Sequence, residues 1–305
     1  MRKLVAACVT AGLGVGLIAA PVQAQDAAPR VFNQDGAWAL DYGDDYCRLA
    51  GNFTNGGDRI ALAIERIEPG TAMRVALVGN ALKLFRRASE IGLALTPSTT
   101  ERKQRYVVST VGDEQYVLFD RVTLAEPAAP PAPGTPPAPY DRATEAALAK
   151  GVTGLRLGSG LNEPVEVHTG PLGAGIKALQ SCADDMVKSW GLDVARHQTL
   201  SRPAAPAGPT AGWLPQGTVP FGDFNKLAGG MNQLRVMIDQ AGKATECKVH
   251  WASLDAAKNQ QICATVLERG TFTPALDASG QAMASYVMLS PFFLLPPPPA
   301  GAGRR

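Results

Sequence analysis

The sequence predicts an α+β protein: a mostly antiparallel β-rich domain with a closing helix, followed by a small domain of strand, strand, helix and strand. Three observations carry this reading. Apolar residues alternate at period two along much of the first half, and one long stripe at helical spacing, Ile176, Leu179, Ala183, Met186 and Trp190, follows it. Proline-rich stretches then divide the chain.

The first element is an address. Arg2 and Lys3 precede an apolar run from Leu4 to Ala20, and Val22-Gln23-Ala24 fits the small-x-small cleavage pattern. Residues 1–24 are therefore expected to be a signal peptide cut before Gln25, leaving residues 25–30 as the mature N-terminal tail. An uncut leader would instead be a membrane anchor, because its length is close to the minimum for spanning a bilayer. The leader holds two of the 29 basic residues, so the remainder balances the 27 acidic ones. A chain without excess positive charge has no electrostatic footprint for nucleic acid, which is excluded as a partner.

Residues 31–200 read as the β-rich domain. Alternation runs through Cys47, Leu49 and Phe53, then Ile60, Leu62 and Ile64, then Met73, Val75 and Leu77, then Tyr106 and Val108, then Tyr116 and Leu118. These segments predict antiparallel strands with one buried face. A proline-rich insertion at 127–139 holds seven prolines and cannot pack a core. A short helix near Asp141 to Lys150, strands near Leu155 and Val165, and a helix from Leu172 to Trp190 complete the domain. Pro171 and Gly191 flank that last helix as helix ends require. The paired acids Asp44-Asp45 and Asp184-Asp185 read as exposed turn and helix faces.

Residues 201–215 hold four prolines and read as a linker; 216–295 form the second domain, and 296–305 a proline-rich tail. Leu234, Val236 and Ile238 alternate with Arg235, and Gln240-Ala241-Gly242 turns the chain into a strand from Thr245 to Trp251. Asp255 caps a helix that runs to Arg269 and ends at Gly270, and a last strand covers Met283 to Leu289. Trp251 shares a strand face with Cys247 and reads as core.

Four cysteines follow the leader, and in an exported chain four allow three disulfide connectivities. Cys47 lies on a β-strand and Cys182 beside the long helical stripe, while Cys247 and Cys263 face one core from strand and helix. One bridge per domain, Cys47 to Cys182 and Cys247 to Cys263, is the economical solution. A metal site lacks ligands: no Cys-x-x-Cys occurs, and His168, His197 and His250 are scattered.

From Trp213 to Leu295 the chain resembles the C-terminal domain of TonB-type energy transducers. The best matches are Asp239 to Gly242, Phe272-Thr273-Pro274-Ala275 and Gly280, and the cysteine pair is similar to that of a disulfide-bearing branch of the family. Ala252-Ser253-Leu254 and Lys258-Asn259 depart from the family pattern, and its Tyr-Pro entry is absent. The resemblance implies a TonB-C-like ββαβ fold at the end of a periplasmic chain, pairing with an extended segment of an outer-membrane transporter. Strand addition is the physics of such pairing. The expected edge is the last strand, Ser285, Tyr286, Val287, Met288 and Leu289.

The expected function is thus non-enzymatic: a periplasmic protein whose second domain binds an envelope protein, an outer-membrane transporter or a second copy of itself, by strand addition. No catalytic residues, cofactor or metal are expected. Two other readings stay open: a membrane-anchored transducer, which requires the leader uncut, and a periplasmic enzyme. Against the enzyme, the chain has no Gly-x-Ser-x-Gly elbow, His-Glu-x-x-His or phosphate loop.

Overall fold

The structure, a computed structural model, describes residues 28–86, 88–126 and 138–296; the expected signal peptide, most of the proline insertion and the expected tail beyond Pro296 lie outside the described residues. The first lobe holds strands β1 (Arg30–Gly43), β2 (Tyr46–Asn55), β3 (Asp58–Arg66), β4 (Met73–Val78), β5 (Glu90–Thr96), β6 (Arg102–Val111) and β7 (Glu114–Val122). Helix α1 (Arg142–Gly151), strands β8 (Gly154–Leu157) and β9 (Val165–His168), and helices α2 (Gly173–Ser189) and α3 (Val194–His197) follow.

These nine strands form a closed barrel in the order β1-β2-β3-β4-β7-β6-β5-β8-β9. The expected antiparallel domain is corrected here. Most pairs are antiparallel, but β1 also pairs in parallel with β9, Arg30 opposite Val165 through Asn33 opposite His168, and this seam closes the sheet. Closure leaves the barrel without edges, so its alternating residues fill an interior instead of one sheet face. Phe32, Phe53, Leu77, Leu93 and Phe119 are fully buried in it.

Two strands escaped the pattern for physical reasons. The register of β1 against β2 shifts between Asp35 and Ala39, and Gly36 takes φ +86°, so the alternation changes phase within the strand. In β5, Ile91 to Leu95 are buried without a break, which gives no period-two signal. Helix α2 packs on β1, β2 and β3 through Ile176, Leu179 and Met186, and a disulfide from Cys47 on β2 to Cys182 on α2 pins it there.

The second lobe is also more than a ββαβ unit. Its main sheet has β12 (Ala244–His250), β11 (Gln233–Ile238) and β16 (Ser285–Leu289) in that spatial order, with α4 (Ala256–Arg269) packed on β12. Asp255 caps α4 by accepting from the Lys258 amide at 2.8 Å, and Cys247 and Cys263 form a disulfide from β12 to α4. Added to this are β10 (Ala205–Pro206) pairing with β13 (Phe272–Thr273), and β14 (Ala275–Leu276) pairing with β15 (Ala282–Met283). Two 3-10 helices, Phe221–Leu227 and Pro291–Leu294, complete the lobe.

The proline stretch at 201–215 accordingly belongs to this lobe. Ala204 and Leu214 are buried in its core, and Arg202 bridges to Leu276. Its prolines suit short edge pairings, which need few backbone donors.

Candidate functional site

The lobes meet along the β11–β16 face turned away from α4. Leu234, Val236 and Ile238 face the second core, while Arg235 and Met237 face the barrel, and on β16 the partners opposite them are Met288 and Tyr286. Arg235 is 5% exposed and donates to Asp45 Oδ1 at 2.8 Å; Lys248 pairs with the same carboxylate. The guanidinium of Arg235 also lies 4.4 Å from the Trp190 ring centroid, and Trp190 meets Tyr286 edge-on at 4.9 Å. Such cation-ring contacts strengthen when desolvated.

Asp45, read from the sequence as an exposed turn residue, is therefore an anchor between lobes. His250 Nδ1 adds a bond to its backbone carbonyl at 3.2 Å, and burial depresses the His250 pKa. Trp251 is likewise corrected. It stands just past β12 at φ +45°, outside the second core, with Arg74 of β4 3.6 Å over its ring. Arg74 is held from its other side by Glu65, at 3.5 Å. A third tie joins Arg196 to Asp277 at 2.6 Å.

The lobes do not close along their whole length. Beside β16 runs a groove of two compartments, about 840 Å³ and about 540 Å³, and Met288 and Leu289 line both. Strand β16 is hydrogen-bonded to β11 on one side, and among the described residues no strand occupies its other side. The expected edge residues are thus brought together as one strand. Ser285, Val287 and Leu289 are buried, and Tyr286 and Met288 are half-buried, so the edge is recessed between lobes.

The opposite wall is built by a bulge. Met73 pairs with Val122 and Val75 with Phe119, so Asp120 and Arg121 together oppose Arg74. Arg121 takes φ +57° and stands exposed, and both residues line the larger compartment. Bulges recur where a side chain has to be re-aimed. The chain of the second lobe lies flush on this wall: a Cβ on Gly229 would come 2.6 Å from Val107, and one on Gly230 2.7 Å from Asp120. Only glycine fits there.

Burial shapes the charges. Glu68, between β3 and β4, lines both compartments, and desolvation pushes its carboxyl up to about 7, against the pull of Arg121. Burial also raises Asp120, offset in part by Arg121 and Arg74. At the far end His197 bonds Ser285 Oγ at 3.1 Å, and burial depresses its pKa. Sequence reasoning missed Glu68, Asp120 and Arg121, since a bulge and a loop leave no motif.

Among the described residues no group of three or more His, Cys, Asp or Glu side chains is placed to hold a metal, and no helix is long and apolar enough to cross a membrane. The two disulfides suit a non-cytoplasmic, oxidising compartment. No family model, curated protein or solved structure matches the chain.

Proposed function

We propose that the protein is a periplasmic binding protein that takes up an extended segment of an envelope protein in the groove along β16, without catalysing a reaction. The carrying observation is the open side of β16, which among the described residues pairs with β11 alone and lies against both compartments of the groove. Backbone groups on an unpaired edge are satisfied by an incoming strand, which gives affinity that depends little on sequence. Alternate side chains of that strand would meet Met288 and Tyr286 on one face and the Glu68 and Arg121 wall beside it.

Recession narrows the class of partner. A folded edge, including β16 of a second copy, brings its own sheet with it, whereas a single strand needs only about 5 Å of lateral room. An extended segment is therefore favoured over self-association. The resemblance of residues 213–295 to the TonB C-terminal domain supports the same chemistry, with an outer-membrane transporter segment as one candidate. Export through a cleaved leader accords with the disulfides.

Selection of a displayed library of linear peptides against the purified protein tests this reading. Recovered peptides should lose binding to a Met288→Arg variant, which fills the groove from its floor. Peptides that bind this variant unchanged would place the site elsewhere.

A further inference from the structure

Glu68 is a half-buried acid at the junction of the groove's two compartments, both of which it lines together with Arg121, Met288 and Leu289. It has no mate. The arginines around it are already matched: Arg74 meets Glu65 at 3.5 Å, Arg66 pairs with Glu145, and Arg142 holds Asp184 at 2.6 Å. Arg121 pulls on Glu68 through space, but among the described residues neither an ion pair nor a hydrogen bond reaches its carboxyl. Asp120, Glu90, Lys103 and Arg105 line the larger compartment without reaching the smaller, two acids against two bases. A carboxyl short of water and without a partner is satisfied when a cation is brought to it.

Away from the junction the larger compartment is walled by rings. Phe224, Phe292 and Phe293 line it, Phe224 meeting Phe292 at 6.2 Å and Phe292 meeting Phe293 at 5.6 Å. Two of them remain open to solvent, Phe292 at 50% and Phe293 at 69%. Both follow closely after Leu289, the last residue of β16, so a segment that pairs along β16 and continues past its end crosses this shelf. An aromatic side chain laid there takes the exposed ring faces out of water.

We propose, resting on the strand-addition reading of the groove, that the extended segment carries a lysine or arginine that pairs with Glu68 and an aromatic residue that packs on the Phe292 and Phe293 shelf. A basic residue is favoured over an acidic one aimed at Arg121, because Arg121 is exposed and keeps its water. The partner is thus an envelope protein whose unpaired segment combines a positive charge with an aromatic ring.

Selection of one linear peptide library side by side on the full chain and its variants tests the proposal, in buffer above about pH 7 so that Glu68 is ionised. Peptides recovered on the unaltered protein should share a basic and an aromatic residue at constant spacing. Glu68→Gln should erase the basic preference alone, and Phe292→Ser with Phe293→Ser the aromatic preference alone. In a recovered peptide, exchanging the basic residue for glutamine should weaken binding to the unaltered protein about tenfold and leave binding to Glu68→Gln nearly unchanged. A cooperative thermal melt confirms that each variant folds. Peptides that lose binding to Met288→Arg yet show neither preference, favour an acid instead, or keep their preferences on the Glu68 and phenylalanine variants overturn this proposal and leave the groove standing. Peptides indifferent to Met288→Arg, or none recovered at all, overturn the groove reading and this proposal with it.

Discussion

Asp45 shows how much one residue holds. It accepts from Arg235, which is almost wholly buried, so removing it leaves a guanidinium out of water whose remaining carboxylate partner among the described residues is Glu246 at 3.8 Å. Asp45→Ala should lower stability by about 3 kcal/mol, the range for breaking a buried pair from one side; the midpoint of urea unfolding reads it. Two other residues set the pH response with opposite signs. Glu68 keeps its proton up to about 7 against an ordinary 4.5, so its contribution is full below about 4.5 and is lost as pH rises through 7. His250 is depressed below 6.5, so its contribution is full above that value and is lost as pH falls. Across the mildly acidic range the two therefore act in opposite directions. Glu68→Gln should uncover a decline toward acid and His250→Gln a decline toward neutral; urea midpoints that keep one pH dependence in all three proteins would contradict both assignments.

Elements differ in how far the sequence announces them. Strand β3 is legible because Ile60, Leu62 and Ile64 point inward and their neighbours do not. Strand β1 is not, because the shift between Asp35 and Ala39 resets its phase, and its parallel pairing with β9 joins segments more than a hundred residues apart. Helix α4 shows its limits through Asp255 and Gly270, and Asp255→Ala should cost about 1 kcal/mol. The disulfides follow from placement on element faces. Losing Cys247–Cys263, 16 residues apart, should cost about 3 kcal/mol by loop entropy, and losing Cys47–Cys182, 135 apart, about 5. Paired Cys→Ser variants in thermal melts provide the comparison, and equal losses would argue against the loop-length account. The candidate edge was readable as the last strand. Its recession was not, because it arises where Trp251, Asp45 and Trp190, each unremarkable in its own segment, meet across lobes.

At the scale of the whole molecule, a barrel with no edges carries a second lobe whose sheet keeps an open one, and the joint between them leaves a groove along that side. The polar ties at Asp45, Arg74 and Arg196 join the two lobes whose residues wall the groove, so the site proposed for a single strand belongs to the docked pair of lobes. Hydrogen exchange of the β16 amides, Tyr286 to Leu289, with and without a selected linear peptide tests this most directly. Slower exchange confined to β16 and the groove wall is the predicted result. Protection that appears elsewhere while the β16 amides exchange at their free rate would contradict the account.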